Sequence, residues 1–314
     1  MSQRRSFDAE KVLNLLEGKI LSQVESSADL SVACFNAIIR AWAQANNLDR
    51  TGKTFRRLFN HYQAGHSQLM PNTASFSMYI SLLSKRKDLK DAATKAEEIL
   101  KEMIELHKIT GRDECKPDEG IFNAVLISWN QSGGHVSVTH SIAILDQMEE
   151  LNVSPDTFSF NTVMRTVVQD DRKDAYKKVM ELKDRMTSLG LEPNLNTFNI
   201  ILNACAAAKS SDSDSALGTA LYTLGRIRDN GANIVTYTTL TKAFRNLLRS
   251  NIETRDKVAG SAFKMCCVDG FLSADLEKQF RQLLSDMAWA ELYSKPVNSN
   301  GSVPVEWRRN LKAN

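Results

Sequence analysis

Residues 186–199 read Met186-Thr187-Ser188-Leu189-Gly190-Leu191-Glu192-Pro193-Asn194-Leu195-Asn196-Thr197-Phe198-Asn199. Before this stretch, Val179, Leu182 and Met186 are spaced as one apolar stripe of a helix. Gly190 and Pro193 break that helix, and the Asn194 side chain is suited to accept from the free amide hydrogens of a new one. Phe198 then opens a second stripe with Ile201, Leu202 and Cys205, three, four and seven places on. The stretch therefore predicts a helix, a capped turn and another helix.

Working outward, the same reading repeats. Phe35 is followed by Asn36, Ile38, Ile39 and Trp42; Phe76 by Ser77, Tyr79, Ile80 and Leu83; Phe122 by Asn123, Val125, Leu126 and Trp129. Phe160 leads Asn161, Val163, Met164 and Val167, and Tyr237 leads Thr238, Leu240 and Phe244, where Thr241 interrupts the apolar set. The six aromatics are separated by 41, 46, 38, 38 and 39 residues. A period of this size belongs to stacked helix pairs. Second helices follow: Phe55, Leu58, Phe59 and Tyr62; Ala96, Ile99, Leu100 and Met103; Ile144, Leu145, Met148 and Leu151; Ala220, Leu221, Leu224 and Ile227; Ala259, Ala262, Phe263 and Cys266. Pro71-Asn72, Pro117-Asp118 and Pro155-Asp156 punctuate the unit ends as Pro193-Asn194 does, whereas Asn233 and Ala274 lack the preceding proline.

Composition narrows the function. The 314 residues are 42% hydrophobic, enough for a sizeable core, and no apolar run is long enough for a membrane span. Lys plus Arg total 40 against 37 Asp plus Glu, so any polyanion site must be a local patch. Candidate patches are Arg56-Arg57, Lys85-Arg86-Lys87 and Lys177-Lys178. The five cysteines form no CxxC pair and read as reduced, mostly buried thiols. His61, His66, His107, His135 and His140 are scattered, and no nucleophile elbow, phosphate loop or HExxH occurs. No catalytic residue, metal or cofactor is expected.

These residues together, and above all 186–199, resemble the pentatricopeptide repeat family, whose units end in Met, Gly and Pro-Asp or Pro-Asn and open with Thr-Tyr-Asn. The likeness covers residues 31–275 and is similar to the repeat region of protein-only ribonuclease P without its nuclease domain, for which the residues after Ala290 are too few. It implies an all-α, right-handed superhelical solenoid of about six hairpins: capping helices in 1–30, the repeat array in 31–275, and a capping helix with a basic tail in 276–314. It also implies single-stranded RNA in an inner groove, one base per repeat. Two side chains per unit would read the base. Carried over, they are Asn36 with Asn72, Ser77 with Asp118, Asn123 with Asp156, Asn161 with Asn194, Asn199 with Asn233, and Thr238 facing Ala274. The implied core is pyrimidine, G, U, pyrimidine, pyrimidine.

The family also places a base-packing side chain two residues before the aromatic. Here those positions hold Ala33, Ala74, Gly120, Phe158, Asn196 and Val235. By the same resemblance the protein is a monomer with possible protein partners, in a mitochondrion or plastid although no clear transit peptide is visible, and otherwise cytoplasmic. Two other readings stay open. A helix start selects the Asn and Asp after proline whether or not RNA is bound, and helix-pair arrays also serve as protein-binding scaffolds.

Overall fold

The computed structural model describes residues 11, 14, 31–170, 175–208, 212–249, 251–293 and 305–310. The expected front cap, residues 1–30, lies outside them but for Lys11 and Asn14. Fourteen α-helices and no strand occur among the described residues. The first hairpins are α1 (Val32–Gln44) with α2 (Leu48–Gln63), α3 (Thr73–Leu83) with α4 (Ala92–Thr110), and α5 (Glu119–Ser132) with α6 (Gly134–Glu150). In chain order the next four helix pairs are α7 (Thr157–Gln169) and α8 (Ala175–Ser188), α9 (Leu195–Ala206) and α10 (Ser213–Asn230), α11 (Ile234–Leu247) and α12 (Ile252–Asp269), and α13 (Ala274–Leu283) and α14 (Asp286–Tyr293). The chain divides into two compact units, 1–166 and 167–314.

Within the first unit, α1 packs on α2, α3 on α4 and α5 on α6, while α1 also packs on α3 and α3 on α5. The second unit repeats the scheme, with α9 against both α10 and α11, and α11 against both α12 and α13. First helices thus stack on first helices, which follows from where the sequence places its stripes. Phe35, Phe76, Phe122, Phe160 and Tyr237 are all fully buried, and Phe198 is buried too. Burying such an aromatic removes the largest single apolar area each helix carries from water. Trp42 and Trp129 lie in the same stripe and are buried as expected.

Two positions differ from the pattern. Thr241 interrupts the apolar stripe of α11, yet it is fully buried. Its hydroxyl donates to Gln279 Oε1 at 2.6 Å on α13 and lies 2.9 Å from Thr238 O, so a polar side chain fills a core site once its proton has an acceptor. Leu221 is placed by spacing in the α10 stripe, but it is exposed.

A polar group ties the second hairpin to the third. The carboxylate of Glu97 on α4 is buried; Oε2 accepts from Trp129 Nε1 of α5 at 2.8 Å and lies 2.7 Å from His140 Nδ1 of α6. Lys101 reaches Oε1 at 2.7 Å. The Trp129 and His140 rings stack, with centroids 4.3 Å apart and planes 15° from parallel. A buried carboxylate is tolerated because each of its oxygens is satisfied.

Residues 305–310 fold against the end of α12. Trp307 meets Phe263 edge-on at 5.8 Å, Leu272 N donates to Trp307 O at 2.8 Å, and Asn310 N donates to Gly270 O at 3.0 Å. Gly270 turns the chain out of α12 in the left-handed region, φ 73°, and a Cβ there would stand 2.5 Å from Arg309 Cγ. Both the backbone conformation and the close approach require glycine.

Candidate nucleic-acid interface

The residues that open each first helix build the site. Asn72, Asp118, Asn194 and Asn233 are helix N-caps whose side-chain oxygens accept from the backbone N–H of Ser75, Ile121, Thr197 and Thr236 respectively. Asp156 does the same for Ser159 at 2.7 Å. At Asn72, Asn194 and Asn233 the third helical residue also returns a bond to the cap's N–H, completing a reciprocal box. The capping role read from the sequence is thus real at every one of these five positions.

Capping does not exhaust what these side chains do. Asn36 Nδ2 donates to Asn72 Oδ1 at 3.1 Å, and Ser75 Oγ donates to Asn36 Oδ1 at 2.7 Å. Ser159 Oγ donates to Asn123 Oδ1 at 2.7 Å and lies 2.8 Å from Asp156 Oδ1. Thr236 Oγ1 donates to Asn199 Oδ1 at 2.9 Å and lies 3.1 Å from Asn233 Oδ1. Three of the expected pairs are therefore brought together, each across a helix-to-helix seam and each through a buried hydroxyl.

The expected pairs Ser77 with Asp118 and Thr238 with Ala274 are arranged differently. Asp118 is exposed and its Oδ1 takes Ile121 N at 2.9 Å, with no hydroxyl at position 121 to reach toward Ser77. Asn161 is 5% exposed, while Asn36, Asn123 and Asn199 are half-buried. It lies in the first unit and Asn194 in the second. Asn194 is exposed, and Thr197 Oγ1 donates to its Oδ1 at 3.2 Å. Thr238 is exposed, but its hydroxyl donates to Ile234 O at 2.8 Å within its own helix. Thr238 and Ala274 thus form no such pair.

The hydroxyls Ser75, Ser159 and Thr236 are missing from the sequence-derived site. Their signal was present: a Ser or Thr immediately before the aromatic, three places after the cap. Its partner lies 36 to 39 residues back, beyond any local pattern.

Charge around the third pair is strained. Asp156 is pushed up by burial, but hydrogen bonds, the Ser159 backbone N–H first among them, outweigh this and hold it below its ordinary 3.8. Glu119 is raised by burial and then by the neighbouring Asp156 charge. Asn123 Nδ2 donates toward Glu119 Oε1 at 3.4 Å. The Asn123 amine therefore faces carboxylates and its oxygen faces the hydroxyl.

Beside the paired side chains, Phe158 is 48% and Val235 53% exposed, each on the first turn of its helix. Ala33, Ala74, Gly120 and Asn196 are exposed as well. The basic candidates mostly meet acids of the chain itself: Arg56 contacts Glu102 at 2.6 Å, Arg86 contacts Asp88 at 2.6 Å, and Lys177 contacts Asp212 at 3.3 Å. Cys115, Cys205, Cys266 and Cys267 are buried free thiols, and burial raises Cys205 and Cys266 to about 12, which suppresses the reactive thiolate. No group of three or more metal-ligating side chains occurs among the described residues, and none of their helices is long and apolar enough to cross a membrane.

Residues 143–208, which include the stretch from Met186 to Asn199, match the model of the pentatricopeptide repeat domain. Over those residues the chain is similar to a pentatricopeptide repeat domain. No curated protein matches it in sequence. Among solved structures it is similar to the pentatricopeptide repeat protein PPR10 in complex with an 18-nt psaJ RNA element, at 18% identity and a TM-score of 0.48, covering 88% of this chain and 40% of that one. It is also similar to the PPR domain of Arabidopsis thaliana protein-only RNase P 1 in complex with tRNA, at 16% identity and a TM-score of 0.43, covering 65% and 97%. PPR10 from maize gives 14% identity and a TM-score of 0.44, covering 92% and 42%. The chain thus spans about two fifths of PPR10.

Proposed function

We propose that this chain binds single-stranded RNA, one base to a hairpin, and serves in the processing, stability or translation of organelle transcripts without catalysis of its own. The observation that carries this reading is the recurrence, at Asn36, Asn123 and Asn199, of a half-buried amide bridged to the following cap by a buried hydroxyl. A helix start needs the cap, but it does not need the amide of the preceding hairpin. Beside two of the caps, Phe158 and Val235 keep large apolar surfaces in water. Stacking on an unpaired base would remove such surface, contributing up to about 1–3 kcal/mol per base.

The chemistry suits a base edge. A carboxylate only accepts and fits the ring N–H of U or G, while an amide both donates and accepts and fits C or U. Asn123 with Asp156 should therefore read U. Selection from a random pool of short single-stranded RNA, at recorded salt, tests the reading. Exchanging Asn123 for Thr together with Asp156 for Asn should move one selected base from U toward A; an unchanged motif would refute the assignment.

One feature favours the competing reading of a protein-binding scaffold. In the second unit, a cavity of about 610 Å³ between α8 and α10 is lined by Tyr176, Met180, Phe198 and Tyr222. Tyr222 is exposed at its edge. A scaffold would select no RNA motif.

A further inference from the structure

We propose that Ser75, Ser159 and Thr236 are specificity-determining positioning residues: each fixes which edge of the preceding hairpin's asparagine amide is offered to a base. The inference rests on the RNA-binding reading and deepens it.

An asparagine amide can rotate by half a turn and exchange its donor for its acceptor with little change of shape. What decides between the two states is the set of groups it meets. In the first hairpin, Ser75 Oγ donates to Asn36 Oδ1 at 2.7 Å while Asn36 Nδ2 donates to Asn72 Oδ1 at 3.1 Å. Turning that amide over would set Oδ1 against Oδ1 and lose the bond to Asn72. In the third hairpin the Ser159 hydroxyl takes Asn123 Oδ1, and the amine is left toward the Glu119 and Asp156 carboxylates. The fifth has Thr236 on Asn199 Oδ1 in the same way. In all three the oxygen meets the seam hydroxyl, which leaves the amine as the edge to offer an acceptor on the base. Pyrimidine O2 is such an acceptor.

The hydroxyl can be removed without removing the cap. Ser159 N donates to Asp156 Oδ1 at 2.7 Å, and Thr236 N to Asn233 Oδ1 at 3.0 Å, through backbone groups that any residue supplies. Ser159→Ala and Thr236→Val therefore keep the helix start and release the amide.

The experiment is selection of short single-stranded RNA from a random pool by the full chain and by Ser159→Ala, Ser159→Thr and Thr236→Val, with folding followed by circular dichroism. Ser159→Ala should lower the preference for U at the one base assigned to Asn123 and Asp156 by a few-fold to about tenfold, the worth of one hydrogen bond. Every other position of the motif should stay as it was, and Ser159→Thr should keep the preference. Thr236→Val should do the same at the base assigned to Asn199 and Asn233, and it decides the matter if Ser159→Ala does not fold. A motif unchanged in Ser159→Ala and Thr236→Val overturns the positioning role while leaving RNA binding intact. Uniform weakening of all positions, in Ser159→Thr as well, shows a structural role and overturns it too. If the unaltered chain selects no motif, the RNA reading itself falls and this inference with it.

Discussion

In the first hairpin Asn36 is held between Asn72 and Ser75, whereas in the second the equivalent Ser77 precedes a helix that opens with Asp118 and Ile121. Both helix starts are capped, and both aromatics, Phe76 and Phe122, lie in the core next to the seam. The difference is one hydroxyl. It teaches that two requirements are superimposed on the same few residues: a cap and a buried ring, which the fold needs everywhere, and a bridge to the previous hairpin, which it does not.

Replacing the rings should have the largest effect and should treat both hairpins alike. Phe76→Ala and Phe122→Ala each remove a fully buried ring and should cost about 3–5 kcal/mol in urea unfolding. A marked difference between them would mean that the bridge contributes to stability and would blur the distinction.

Building the missing bridge would sharpen it. Ser77→Asn with Ile121→Thr gives the second hairpin the asparagine and the hydroxyl of the fifth on its own Asp118 cap, and the base it selects should move from G to a pyrimidine by about tenfold, one hydrogen bond's worth. Competition binding with RNAs that differ only at that base measures this. Retained G preference would mean that neither the altered reading pair nor the added bridge sets the base at this position.

The smallest effect concerns pH. Asp156 sits below 3.8 in the folded chain, so its stabilising contribution is complete at neutral pH and is lost only as the pH falls through that depressed value. Asp156→Asn should therefore flatten the acid end of the stability profile slightly and lower stability by a small, pH-independent amount at pH 6–8. Glu119 has the opposite sign: its raised value means that it opposes folding once ionised, so Glu119→Gln should stabilise slightly at neutral pH. Exposure to solvent keeps both small.

Most of the fold could be read because its determinants are local. The aromatic stripes repeat at helical spacing, and the caps follow prolines. What escaped depends on distant partners. Thr241 looked like a flaw in a stripe because its acceptor, Gln279, is 38 residues on. Leu221 has stripe spacing, yet no neighbour covers that edge of α10 fully. At the site, Asn36, Asn72, Asn123, Asp156, Asn199 and Asn233 fall into pairs as their register suggested, while Asn161 is buried and Thr238 is turned into its own helix. The hydroxyl between them was legible only as a cap-box residue.

Glu97 draws its partners from α4, α5 and α6, so two neighbouring hairpins share one buried charge. An engineer who treats the hairpins as interchangeable parts would strand that carboxylate by swapping either one. At this seam the second and third have to travel as a single cassette, and the alphabet of reusable pieces in this chain is shorter than its number of hairpins.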